Sequence, residues 1–268
     1  MTGPAGSFAK VILRRKGRKE DESLRFDGHR AGAVSESGFA LCHNGTDWTT
    51  FKFVIVADGM GGHRAGDRAS RLLIDSLTDY IGNCGDQTAV AALNNGIAEA
   101  NRKIYEAAAA DQSLSGMGTT LVAATIEGST LYVANVGDSR LYLIEREGIR
   151  QVTRDHSYVE EMVSLGQMNR GSAAYREQKN IITRAVGIAD HVDVDFFEVS
   201  LKAGDYILLC SDGLSNMVDN SAIFRLVLLP GPLESKARAL IALANQNGGK
   251  DNIAVVLIDP QISEVDGL

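Results

Sequence analysis

Only three cysteines occur in 268 residues, Cys42, Cys84 and Cys210, and none of them has metal-ligand spacing. A sparse, odd set excludes a disulfide-stapled scaffold and points to a reducing compartment. Long apolar runs are missing as well: none approaches the roughly 20 residues that span a bilayer. The opening stretch, MTGPAGSFAKVILRRKG, lacks the apolar segment of a secretory signal. The cytoplasm is therefore the expected location, with no membrane partner. Positive charge is also in deficit, since 27 Lys and Arg face 34 Asp and Glu for a net charge of −7. That balance excludes the basic footprint of a general nucleic-acid binder. No internal repeat is visible, and no linker is rich enough to separate two domains.

What is present is a globular composition, 44% hydrophobic and 23% charged, with enough length to bury a proper core. The most informative phrase is FVIVADGMGG, from Phe53 to Gly62. A β-branched and aromatic run stops at Asp58, and three glycines follow within four positions. The pattern brings a carboxylate and bare backbone to the open end of a buried strand. Gly59 would let a metal or phosphate approach its carbonyl with no Cβ in the way. The same phrase also reads as an ordinary strand running into a tight turn.

Hydrophobic periodicity predicts a helix over 67–81, with Leu73, Leu77, Tyr80 and Ile81 on one face. A second helix carries Val90, Leu93, Ile97, Ala100 and Ile104 on one stripe. GTTLVAATIEG and STLYVANVGDSRLYLIER read as adjacent antiparallel strands turned at Gly128 and Gly137. A short helix is expected over 157–168, then a mobile polar loop over 169–179. Two strands surround Ala203-Gly204, helices cover 219–229 and 234–246, and DNIAVVLIDP closes the domain as a strand. Strands at both ends of the domain, with helices in pairs, favour two packed sheets with helices outside.

Three carboxylates share one context. Asp58 and Asp212 follow strongly apolar strands and precede a glycine; Asp251 opens another strand after Gly248-Gly249-Lys250. If the third strand runs antiparallel to the others, all three acids meet at one edge. Clustered carboxylates repel unless cations lie between them, and oxygen-only ligands suit Mg²⁺ or Mn²⁺. Asp138, in the turn VGDSR, could join the same rim. Each acid taken alone also fits a simple turn aspartate.

Seven segments carry a family resemblance: VADGMGGHRAG (56–66), GMGTTL (116–121), ANVGDSRLYL (134–143), TRDHS (153–157), NIITRAVG (180–187), LLCSDGL (208–214) and KDNIAVVLI (250–258). In that order they resemble a metal-dependent serine/threonine protein phosphatase of the PPM class, also called type 2C, of the bacterial kind. The resemblance implies an α+β fold: a four-layer α-β-β-α sandwich of two central, mostly antiparallel sheets, with a binuclear metal site at one end. The implied domain spans 31–262, with 1–30 as an N-terminal extension or atypical first strand and 263–268 as a tail. The cofactors would be two Mn²⁺ or Mg²⁺ ions, with a third held more weakly. Asp58 would bridge two metals, the Gly59 carbonyl would bind one of them, and Asp212 and Asp251 would complete the other. Asp138 would serve the third. A flap beside the site would run from about Tyr158 to Lys179.

The implied activity is hydrolysis of phosphoserine or phosphothreonine by direct attack of a water polarised between the ions. The substrate would be a phosphorylated protein, the target of a serine/threonine kinase. His63, next to the glycine turn, is a candidate general acid and equally a surface histidine. Asn252 is a candidate for orienting water and equally a turn cap.

The family's opening arginine and Asn-Glu-Asp acids have no clean counterpart here. One register uses Lys19-Glu20-Asp21, with Lys16 in place of the arginine. The other fits SESGFALCHNGTD (35–47) to the first strand, with Leu41 in place of the arginine and Asp47 standing in for the acids. The second has the more natural strand pattern. A lysine does not reproduce a bidentate phosphate clamp. Two rival readings follow: a metal-binding pseudophosphatase that regulates by binding phosphoprotein, and an enzyme acting on a small phosphorylated metabolite.

Overall fold

The computed structural model describes residues 8–14, 22–23, 31–34, 37–43 and 51–260, and side chains from Phe53 to Pro260 except that of His63. In chain order the strands begin with β1 (Phe8–Arg14), β2 (Glu22–Ser23), β3 (Ala31–Val34), β4 (Ser37–His43) and β5 (Phe51–Met60). Two helices follow, α1 (His63–Asn83) and α2 (Ala89–Ala110). Next come β6 (Gly118–Thr119), β7 (Leu121–Glu127), β8 (Thr130–Val136), β9 (Arg140–Glu145) and β10 (Gly148–Gln151). Helices α3 (Tyr158–Ser164) and α4 (Ala173–Gln178) precede β11 (Asp195–Ser200) and β12 (Tyr206–Cys210). The chain closes with α5 (Asp212–Ser215), α6 (Asn220–Leu228), α7 (Leu233–Gln246) and β13 (Ile253–Asp259).

The strands form two antiparallel sheets, one ordered β10-β9-β12-β13-β1-β2 and the other β11-β8-β7-β5-β4-β3, with β6 paired to β5. Three apolar layers hold four structural layers together. Along β5, Phe53, Ile55 and Ala57 point to α1 and α2, where Leu73, Leu77, Leu93 and Ile97 are buried. The alternate residues Val54 and Val56 point between the sheets to meet Leu141, Leu209 and Val256. On the far side, Leu208, Val255 and Leu257 pack under α6 and α7 against Ile223, Leu240 and Ile241. A strand buried on both faces has to be apolar at every position, which is why FVIVA shows no alternation. Each large side chain buried this way contributes about 1.5–3 kcal/mol. The expected α-β-β-α sandwich is the observed architecture.

Several local expectations shift. Helix α1 starts at His63, four residues before the predicted start at Asp67. Val90 is exposed rather than part of the buried stripe of α2. The segment 169–179 is not a plain loop, because it contains α4. Ser172 caps that helix by accepting from the Tyr175 amide at 3.1 Å. Six residues are too few for a hydrophobic period, so capping rather than patterning sets this helix. The Gly128 turn joins paired strands as expected, with Glu127 opposite Thr130. The Gly137 turn does not: β8 lies in one sheet, while β9 pairs with β10 and β12 in the other. Residues 137–139 therefore carry the chain across the sandwich. Among the described residues no helix is long and apolar enough to cross a membrane.

Candidate metal centre

The antiparallel register decides where the acids lie. Cys210, at the end of β12, is opposite Val255, near the start of β13. Asp212 and Asp251 therefore flank the same edge. Asp58 belongs to β5 in the other sheet, yet its side chain comes within interaction range of that of Asp212. Asp138 sits in the crossover turn and feels the charge of Asp212. Residues separated by more than a hundred positions in sequence thus meet at one rim.

Their protonation records the crowding. Burial, reinforced by Asp212 and Asp155, pushes the Asp138 carboxyl up to about 7. Burial and the neighbouring Asp251 push Asp212 up to about 6. Carboxyl groups crowded in this way need protons or cations to offset their repulsion. Among the described residues, no group of three or more His, Cys, Asp or Glu side chains closes into a ready cage. The acids meet pairwise instead. Mg²⁺-like ions are commonly held by one or two carboxylates, with waters filling the remaining positions. The all-oxygen, mutually repelling donor set fits hard divalent ions.

Backbone contacts fix Asp58. Its amide donates to Thr120 Oγ1 at 3.0 Å, and its carbonyl accepts from the Thr120 amide at 2.8 Å and Thr119 Oγ1 at 3.1 Å. Thr120 Oγ1 also lies 2.7 Å from Ser139 Oγ, in the turn that carries Asp138. The segments GMGTTL and VGDSR are thereby tied to the glycine-rich phrase. Helix α1 crosses close to this point: a Cβ on Gly66 would lie 2.7 Å from the Gly59 carbonyl oxygen.

Asp212 and Asp251 are fixed just as closely. A Cβ on Gly213 would stand 2.0 Å from the Asn252 carbonyl oxygen, so only glycine lets the two segments meet. Ser211 Oγ donates to that carbonyl at 3.3 Å and accepts from the Ala254 amide at 3.1 Å. The Asn252 amide donates to Asp251 Oδ1 at 2.8 Å, and Asn252 itself is buried. Asn216 donates to Asp212 Oδ2 at 2.9 Å and reaches Asn180, beside the flap, at 3.3 Å.

Sequence reasoning overlooked these supporting residues. Thr120, Ser139, Ser211 and Asn216 are small polar residues with no period or spacing to mark them. It also overlooked Lys179, which follows α4. Burial holds Lys179 below the usual lysine range, while the facing charge of Asp212 works in the opposite direction. Of the sequence candidates, Asp58, Asp138, Asp212 and Asp251 are brought together. The backbone places His63 at the first position of α1. Asp47 and its alternative Asp21 lie outside the described residues. Their flanking strands differ in placement. Ser37 pairs with Asp58 and His43 with Phe51, so β4 and β5 are joined at the end away from Asp58. Arg14 pairs with Ile253, so β1 ends beside the segment carrying Asp251.

Comparison with known proteins identifies the family and the fold. A sequence model described as Protein phosphatase 2C matches residues 30–257. The chain is 42% identical over 215 residues to the serine/threonine phosphatase stp of Listeria monocytogenes, covering 79% of this chain and 85% of that protein. Its fold matches the serine/threonine phosphatase PstP/Ppp of Mycobacterium tuberculosis with a TM-score of 0.80 and 30% identity, covering 96% of this chain and 99% of the other. It also matches the catalytic domain of the serine/threonine protein phosphatase PstP in complex with two manganese ions, with a TM-score of 0.73, 31% identity, and coverage of 93% and 98%. None of these similarities favours a non-catalytic binding protein.

Proposed function

The chain belongs to the protein phosphatase 2C family and is a Mn²⁺- or Mg²⁺-dependent protein serine/threonine phosphatase, and from that premise we propose which of its residues do the work. Asp58 would be shared by the metal pair, the Gly59 carbonyl would hold one ion, and Asp212 and Asp251 would hold the other. Asp138 serves a third, weaker ion. Asp21, rather than Asp47, supplies the upstream acid, because β1 ends beside Asp251 while β4 and β5 join away from Asp58. On this reading residues 1–30 include an atypical first strand, the phosphatase domain proper spans 31–262, and 263–268 are a tail.

When bound, the divalent pair acidifies a water and neutralises charge on the phosphoryl group. The remaining work falls to the chain. Asp58 and Asp212 approach from opposite sheets and would hold the pair between them. Asn216 orients the Asp212 carboxylate. Asn252 orients water beside Asp251, whose Oδ1 accepts the Asn252 backbone N–H. His63 stands at the start of α1, beside the glycine turn, and gives a proton to the departing serine or threonine oxygen.

The substrate is a phosphoprotein modified by a serine/threonine kinase, and the setting is the cytoplasm. Nucleic acid is not a partner at a net charge of −7. The observation that carries the site assignment is the meeting of the Asp58 and Asp212 side chains across the two sheets. Phosphate release from a phosphothreonine peptide with Mn²⁺ tests it. EDTA should silence the reaction, Mn²⁺ or Mg²⁺ should restore it, and Asp58→Ala and Asp212→Ala should abolish it. Activity in either variant equal to the parent's would overturn the assignment.

A further inference from the structure

We propose that His156 is a positioning residue of the metal centre, holding through its Nδ1 the turn that presents Asp138. The proposal rests on the reading of Asp138 as a metal ligand. The crossover turn Gly137–Ser139 leaves one sheet after Val136 and enters the other at Arg140. No ladder bond holds it, so contacts from other segments must. Ser139 is tied to Thr120 on one side. On the other, the Gly137 amide donates to His156 Nδ1 at 3.0 Å, and the Gly137 carbonyl accepts from the His156 amide at 2.9 Å.

Gly137 has φ +98, and a Cβ there would lie 2.7 Å from Thr120 Cγ2. The turn is thus wedged between Thr120 and His156. An amide N–H can only donate, so Nδ1 must carry its lone pair and the ring proton must sit on Nε2. That proton is donated to Asp195 Oδ2, 3.0 Å away. Arg184 lies 3.2 Å from the same nitrogen, and it bonds Asp195 Oδ1 at 2.7 Å. His156 is buried, and burial lowers its basicity, in keeping with a neutral ring. The ring therefore ties the VGDSR turn to Asp195 at the start of β11, and through Asp195 to Arg184 of NIITRAVG. Groups that orient a ligand from behind commonly govern metal affinity by about 10–100-fold.

Two substitutions separate this role from packing. His156→Asn keeps an acceptor at the δ position for Gly137 and gives up the reach to Asp195. His156→Gln reaches Asp195 with its amide and leaves the Gly137 N–H without its partner. Full-length protein is titrated with Mn²⁺ by calorimetry, and exchange of the Gly137 amide is followed by NMR. His156→Gln should weaken the Asp138-dependent Mn²⁺ site by about tenfold or more and speed Gly137 exchange. His156→Asn should stay near the parent in both. Equal losses in the two variants, or no change in His156→Gln, would overturn the proposal. If His156→Gln does not fold, a folded His156→Asn protein that loses the same Mn²⁺ site overturns it equally. Asp138→Asn, run in parallel, identifies which Mn²⁺ is at stake. If Asp138→Asn leaves all Mn²⁺ binding intact, the ligand assignment fails and takes the metal role of His156 with it, whatever Gly137 exchange reports about the turn.

Discussion

The side chains of Asp58 and Asp212 come within interaction range of each other although they sit on different sheets, one near the end of β5 and the other just past β12. Each sheet alone would leave an acid at a strand end. Stacking the sheets about an apolar layer brings the two ends together and makes a binding edge. The apolar layer holds the acids close against their repulsion, and a divalent cation between them would relieve that repulsion.

Replacing one of these acids should separate activity from folding. Asp212→Asn is expected to abolish phosphate release while leaving circular dichroism unchanged. Without metal its melting temperature should hold or rise, because one source of repulsion is gone. A variant that fails to fold would count against a metal-holding role.

The raised acids predict a pH dependence with a definite sign. Their ordinary value is 3.8, and in the folded chain Asp212 titrates at about 6 and Asp138 at about 7. Between about 4 and about 7 the folded chain therefore keeps protons that the unfolded chain has released, and stability falls as pH rises. In EDTA, the melting temperature of the parent should drop more steeply across this window than that of Asp138→Asn. Mn²⁺ should flatten the parent's slope. Parallel slopes for the two proteins would refute the assignment of the shift to Asp138.

Gly213 offers a steric test. In Gly213→Ala the new methyl would press on the Asn252 carbonyl from 2.0 Å, against backbone rather than a yielding side chain. Overpacking of this kind costs about 1–3 kcal/mol or more. For a domain of this size that amounts to a melting point lower by several degrees, on the order of 2–4 °C per kcal/mol. Mn²⁺ affinity should fall as well, since Asp212 and Asp251 flank the contact. Unchanged melting and binding would show that the two segments can separate freely.

Thr120→Val tests the support behind Asp58. It leaves the Asp58 amide without its acceptor and Ser139 without its hydroxyl partner. The expected destabilisation is about 1–3 kcal/mol, measured by urea denaturation. Mn²⁺ affinity should fall by about tenfold. A stability loss with intact metal affinity would make Thr120 a purely structural residue.

The sequence by itself determined the apolar strands, the helical faces of α1 and α2, and the acids placed at strand ends. These are local properties, written in composition and period, and a run such as FVIVA has few ways to be buried. Tertiary structure decided what local pattern does not encode. It sent the Gly137 turn across the sandwich rather than back along one sheet, a choice set by which layers β8 and β9 bury. It put β1 beside β13 through a pairing of residues some 240 positions apart in register. It recruited Thr120, Ser139, Asn216 and His156, whose hydrogen bonds acquire meaning only when distant segments meet. The acids were legible as candidates because strand ends and glycines mark them. Their supporting residues were not, because a lone polar side chain looks the same in a sequence whether it holds a metal ligand or faces water.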